Sequence, residues 1–324
     1  MPEAHDPSLR MLTCEGCVSL LDDLRRNLAE TDLNLEEMAL WQDLEDLRWL
    51  ATQRGNVLQG YENLKDPTRK RRIQGFRDAV FIKRSVKAIE RTRNYEGWRQ
   101  PAIHLRNWRL RDIPEDEGLA GKQAQQSMDF LYEIEVAARL GFTFSKIKFA
   151  EPDLVIESPD LPIAWSIACK RPRSLNSMTR ATRKAVMQID REGRLGVVMV
   201  SLDNLLGDGQ KVIDLSGAPL RPIYQDRMTR IVESCSKALL AELEDSLPLP
   251  ADPKDPKAGR GVLGILTTGW FFLLGKDGPA GQVYLNTRME PSMINRNEPK
   301  WAQAAVYFLL QCLEQADRQL RSNY

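Results

Sequence analysis

The stretch that decides the fold runs from Asp129 to Lys170, DFLYEIEVAARLGFTFSKIKFAEPDLVIESPDLPIAWSIACK. On a helical wheel at about 100° per residue, Phe130, Leu131, Ile134, Val136, Ala137, Ala138 and Leu140 share one broad apolar arc, so Asp129 to Leu140 reads as a helix. Glu133 falls inside that arc, and Glu135 sits at its outer edge. A carboxylate pointing where the core should be is costly unless a cation or a metal pairs with it. Gly141 is a natural helix stop. After it FTFSKIKF and DLVIE read as two strands, SPDLP is turn chemistry, and IAWSIACKR is a third strand. Farther out, Ser177 to Asp190 is helical in pattern and LGVVMVSL is an apolar run suited to a buried strand. The order is helix, three strands, helix, strand: an α/β chain with a mixed sheet flanked by helices.

Two short motifs sit on this frame, Pro152-Asp153 before the second strand and Ala168-Cys169-Lys170 closing the third. With the element order, they resemble the PD-(D/E)xK nuclease superfamily over residues 123–205 or so. The resemblance implies a restriction-endonuclease-like sheet. It makes Asp153 a metal ligand, Lys170 its neighbour on the third strand, the backbone carbonyl of Cys169 a further ligand, and Glu133 the helical acid. IACKRPRS followed by KAVMQ is similar to the lysine strand and following helix of bacterial phage-defence nucleases, which would make Gln188 an auxiliary residue. The implied cofactor is Mg²⁺ (or Mn²⁺), and the implied activity is endonucleolytic hydrolysis of phosphodiester bonds, of DNA foremost. The chain departs from the family at Ala168, where Glu, Asp or Gln is the rule. Some relatives supply that acid from a neighbouring helix; Glu133, its i−4 neighbour Asp129, and then Asp190 and Glu192 are the candidates. The alternative is a nuclease-fold protein whose site has decayed at Ala168 and which binds nucleic acid or acts as a scaffold.

The chemistry explains why such residues are needed. Phosphodiester hydrolysis requires an activated water and stabilisation of charge building on phosphoryl oxygens. A hard divalent cation supplies both and is commonly held by one or two carboxylates plus water. A lysine beside the attacking water orients it and offsets negative charge. Pro159-Asp160 is also a PD pair, but its setting is a hairpin turn, where those residues are expected anyway.

The remainder bounds the setting. At 324 residues and 42% hydrophobic the chain can bury a large core, and its net charge of +1 means that nucleic-acid affinity must come from local patches. The N-terminus MPEAHDPSLR lacks the apolar stretch of a signal peptide, no apolar run approaches a membrane span, and five cysteines are unevenly spaced, so a reduced, cytoplasmic protein is expected. Cys14 and Cys17 form a CxxC, but no second CxxC or HxxxH accompanies it, and His5 and His104 are the only histidines. There is no phosphate-cradling glycine loop and no internal repeat.

Residues 1–115 read as a helical N-terminal region and residues 116–324 as the nuclease-like domain, with a linker at IPEDEG, Ile113 to Gly118. Leu20 to Ala51 predicts an antiparallel helical hairpin, its second arm capped by Asp32 or Asn34. Residues 12–50 hold ten acids and three bases, a surface that is solvated, shields a basic neighbour or meets a protein partner. Residues 65–111 reverse this with fifteen bases and four acids. Arg69, Lys70, Arg71, Arg72, Lys83 and Arg84, joined by Arg171 and Arg173 after the third strand, are the candidate phosphate-backbone contacts, the alternative being that the run merely faces the acidic hairpin. Beyond the core, Arg221 to Leu247 reads as a helix and Leu247 to Gly261 as a proline-rich loop. VLGILTTGWFFLLG and QVYLNTRM read as a strand pair, and Asn297 to Arg321 as a helix with a stripe of Trp301, Ala305, Phe308, Leu309 and Leu313. The partners expected are nucleic acid, a protein at the acidic helices and a second copy of the chain, and no membrane.

Overall fold

The computed structural model describes residues 13–57, 65–110, 118–158, 164–205, 212–214, 261–275, 282–293 and 300–322. The expected linker up to residue 117, the turn at Pro159-Asp160, the helix at 221–247 and the proline-rich stretch up to residue 260 lie outside them.

The N-terminal layer is helical. Helix α1 (Cys14–Ala29) begins where the Thr13 side chain accepts a hydrogen bond from the Gly16 N–H at 2.9 Å, and it buries Leu20, Leu21, Leu24 and Leu28. The second arm of the hairpin is not one helix. Asn34 caps a 3₁₀ turn (Leu35–Glu37), and the chain then breaks into α2 (Ala39–Asp43) and α3 (Glu45–Ala51), which bury Leu40, Leu47 and Leu50. Helix α4 (Asp66–Thr92) opens with a proline in its first turn, a position that needs no N–H partner, and runs 27 residues. The short α5 (Arg99–His104) follows.

Helix α6 (Gly118–Leu140) leads into the sheet, and every residue from Leu131 to Leu140 is buried because α4 covers its outer side. Three antiparallel neighbours come next: β1 (Lys146–Ala150), β2 (Asp153–Glu157) and β3 (Trp165–Lys170). Helix α7 (Leu175–Arg191), opened by a reciprocal capping box between Ser174 and Ser177, crosses to β4 (Leu195–Ser201), which lies parallel to β3. Then come β5 (Val212–Asp214), β6 (Gly261–Gly275), β7 (Gln282–Met293) and α8 (Lys300–Ser322). The sheet order is β1-β2-β3-β4-β6-β5 with β7 paired to β6, so the fold is α/β with a mixed sheet flanked by helices.

Period-two alternation sorts the strands between two layers. Ile167 and Cys169 of β3 and Val197 and Met199 of β4 join the main core with α6, α8 and the N-terminal helices. Their alternates, Ala168, Val198 and Val200, are buried outside that cluster, on the face that α7 covers. Gly196 permits that contact: a Cβ there would stand 2.5 Å from the Ser166 carbonyl oxygen and 2.8 Å from Ile189 Cγ2. On α8 the buried stripe is Val306, Leu309, Leu313 and Ala316, whereas Phe308 is 42% exposed, rotated off the core and meeting Phe144 edge-on at 6.2 Å. Among the described residues no helix is long and apolar enough to cross a membrane.

Candidate active site

The antiparallel pairing of β2 and β3 brings the start of one strand to the end of the other. Asp153 is the first residue of β2 and Lys170 the last of β3, and their side chains meet: Lys170 Nζ donates to Asp153 Oδ2 at 2.9 Å. The same Oδ2 accepts the Cys169 N–H at 2.6 Å, so the carboxylate folds over the end of β3. Both side chains are largely buried, at 13% and 16% exposure. Asp153 Oδ1 makes no hydrogen bond among the described residues.

Glu133 reaches the same end of the sheet from α6. It is 9% exposed, and its carboxylate has neither a hydrogen bond nor an ion pair among the described residues. Burial pushes its pKa well above the ordinary glutamate range; the charges of Asp153, Asp129 and Glu151 add to this, and Lys170 opposes it. Asp153 is raised too, by burial first, against the pull of Lys170 and the Cys169 N–H. Asp129, one helical turn before Glu133, keeps solvent-exposed surface, yet surrounding protein desolvates its carboxyl and pushes it up to about 6 against Arg171, Arg173 and Lys170. Burial alone would lower Lys170; Asp153 outweighs that and raises it. Three acids therefore gather round Lys170, with Arg171 and Arg173 acting on Asp129 at the outer side, and among the described residues Glu133 has no ion pair of its own.

The neighbouring Glu135 is the contrast. It is buried as well, but it forms an ion pair with buried Arg84 of α4. The wheel places Glu135 at the outer edge of the apolar arc; the structure puts α4 against that edge, so the edge is interior.

Several sequence expectations are corrected here. Arg84 does not face a phosphate backbone, because it is buried on Glu135. Arg71 reaches Asp46 at 3.0 Å and Glu45 at 3.1 Å, and Arg72 donates to the carbonyls of Val57 and Asn56 at 3.0 and 3.3 Å. With Arg93 on Glu30 and Arg109 on Asp43, three bases of the run, Arg71 included, pair with the acidic helices, which likewise reduces the acidic surface open to a protein partner. Arg69 and Lys83 are half-buried on α4, and Lys70 is exposed. Asp190 and Glu192 stand at the far end of α7, about 22 Å along its axis from the first turn that follows Lys170. Gln188 lies about 20 Å along the same helix from its first turn. Cys14 and Cys17 are fully buried thiols in the helical core, and burial pushes Cys17 up to about 12.

Ala168 is fully buried on the α7 face. The register Leu154 to Ile167 places it directly across from Asp153, so a longer acid at this position would have to find room in a filled space.

Sequence reasoning missed two groups. Glu151 adds its charge to the cluster and was visible two residues before Asp153. The other is the outer face of α7, where Arg180, Arg183, Lys184 and Arg191 are exposed; their spacing of three, one and seven is a helical-face signature. Among the described residues, no three of His, Cys, Asp and Glu are grouped so as to hold an ion between them. A cation here would rest on the pair Asp153 and Glu133. Set against protein-family models and curated proteins, the chain matches none of either.

Proposed function

We propose that the chain is a metal-dependent nuclease of the PD-(D/E)xK type, with a restriction-endonuclease-like sheet, that hydrolyses phosphodiester bonds of DNA. The observation that carries this reading is Glu133, a side chain only 9% exposed that has no hydrogen bond or ion pair among the described residues and feels the charges of Asp153 and Lys170. Holding a largely buried carboxylate without a partner is unfavourable, and a cation bound there relieves that cost. The donor set suits a hard ion: Asp153 Oδ1 and Glu133 would hold Mg²⁺ or Mn²⁺, with the Cys169 carbonyl as a further oxygen and water completing the shell. Such an ion, when bound, polarises a phosphoryl oxygen and lowers the pKa of a coordinated water.

The chain's own residues supply the rest. Asp153 fixes the Lys170 ammonium, which sets a positive charge where negative charge grows in the transition state. Arg171 and Arg173, whose charges already act on Asp129, extend that positive field towards an incoming phosphate. Glu133 on α6 takes the place of the acid absent at Ala168. The resemblance of IACKRPRS and KAVMQ to phage-defence nucleases makes antiviral defence the proposed setting.

A second reading has its own support. Ala168 is sealed in the core, so a decayed protein that only binds nucleic acid would keep this architecture. Incubating the purified protein with plasmid and single-stranded DNA, with Mg²⁺, with Mn²⁺ and with chelator, separates the two. Cleavage that requires the metal is expected; binding without cleavage under every condition would favour the decayed protein.

A further inference from the structure

The outer face of α7 carries a run of exposed positive charge. At 100° per residue Asn176, Arg180, Arg183, Lys184, Met187 and Arg191 fall within an arc of about 100°. All six are exposed, and Met187 lies at the centre of the arc with 71% of its surface open. The opposite side of the helix buries Met178, Thr182, Ala185, Val186 and Ile189 against the sheet, so the basic face is fixed outward. An open groove runs along it, and Asp190 is the single acid among the described residues that line it. In the groove wall the Gln188 Oε1 atom is buried without a hydrogen-bond partner among the described residues.

From Arg180 to Arg191 the helix advances about 16 Å, the axial length of about five nucleotides of one strand of a duplex. The helix also starts beside the candidate active site, since Arg171 and Arg173 lie between Lys170 and its capping box. We propose that this face is the track on which the phosphate backbone of a nucleic-acid duplex docks, leading from the Arg171–Arg173 corner along α7. Where the track leads rests on the nuclease reading above; whether it binds does not. The groove's charge selects the polyphosphate backbone, and duplex DNA and duplex RNA both offer one.

The test uses the full chain carrying Asp153→Asn, without metal, so that binding is read apart from cleavage. Affinity for one mixed-sequence duplex, as DNA and as RNA, is measured across a salt series. The triple variant Arg180→Gln, Arg183→Gln, Lys184→Gln should bind at least about tenfold more weakly, and the slope of log affinity against log salt should flatten by about 2 to 3. The control Arg99→Gln, Arg106→Gln, Lys122→Gln removes the same charge from exposed positions elsewhere and should leave both unchanged. The stronger of the two duplex arms names the nucleic acid. Equal affinity of the α7 variant and its parent, equal losses in variant and control, or binding to anionic vesicles in place of either duplex would overturn the proposal. Wild-type protein that binds through α7 but never cleaves would remove the nuclease reading and leave this one standing; metal-dependent cleavage indifferent to the α7 charges would do the reverse.

Discussion

Glu133 and Glu135 lie two residues apart on α6, both buried, and their surroundings are opposite. On the side of Glu135 the helical layer closes its charges in pairs: Arg84 on Glu135, Arg71 on Glu45 and Asp46, Arg109 on Asp43. On the side of Glu133, at the end of the sheet, Glu133, Asp153 and Asp129 gather round Lys170, with Arg171 and Arg173 acting on Asp129, and the two acids most deeply set are pushed towards protonation by burial. Paired charge fixes how elements pack; unpaired charge in a buried corner is tolerated where it meets something from outside. The difference lies between two faces of α6: one closed by an ion pair with α4, the other carrying the acid on which the proposed function rests.

The contrast can be broken most forcefully at Asp153. Asp153→Asn removes a carboxylate from the cation and the anchor of Lys170, and should lower single-turnover cleavage in Mg²⁺ by roughly 10³-fold or more, the scale on which catalytic carboxylates are lost, while circular dichroism stays unchanged. Next in size is Arg84→Met. It strands Glu135 inside the helical layer and should destabilise the protein by about 3–5 kcal/mol in urea unfolding, with much of the loss recovered on adding Glu135→Leu. If the double replacement recovers nothing, the pair is not what joins α4 to α6.

A smaller effect of opposite sign is expected at Glu133. Its folded pKa is raised above the ordinary 4.5 by burial first, so the favourable contribution of the protonated form is complete below pH 4.5 and is lost as pH rises through the higher folded value. From pH 4.5 upward the side chain therefore opposes folding increasingly until the folded group ionises. Glu133→Gln should raise the melting temperature of the metal-free protein by a few degrees at neutral pH, with the gain shrinking towards pH 4.5. Added Mg²⁺ should stabilise the wild type and not the variant. A variant less stable than wild type at neutral pH would place Glu133 among the structural pairs. Smallest is the thiol readout: Cys14, Cys17 and Cys169, all buried with raised pKa values, should resist alkylation in the native protein and react once it is unfolded.

The strand order and the meeting of Asp153 with Lys170 were legible because alternation, turn residues and two short motifs all point the same way. The inward setting of Glu133 was legible from the wheel alone. The partner of Glu135 was not, because a wheel treats a helix as having one covered side, and α6 is covered on two. The role of Arg84 was hidden for a related reason: a run of bases reads as one patch, while α4 turns each of them in a different direction. The same holds for Arg71 and Arg72, whose acceptors lie fifteen or more residues away along the chain. The broken second arm of the N-terminal hairpin escaped because its leucines keep helical spacing across Met38 and Leu44, where the backbone leaves the helix. On α7 the information was present in the spacing of Arg180, Arg183, Lys184 and Arg191, which fall on one face of the helix.

The most direct test compares Glu133→Gln with Glu135→Gln in one assay, single-turnover cleavage of a labelled duplex DNA at saturating Mg²⁺. Loss of cleavage in Glu133→Gln as complete as in Asp153→Asn, beside near wild-type cleavage in Glu135→Gln, is the predicted result. Cleavage that survives both Glu133→Gln and Asp153→Asn would contradict the account and place the chemistry elsewhere in the chain.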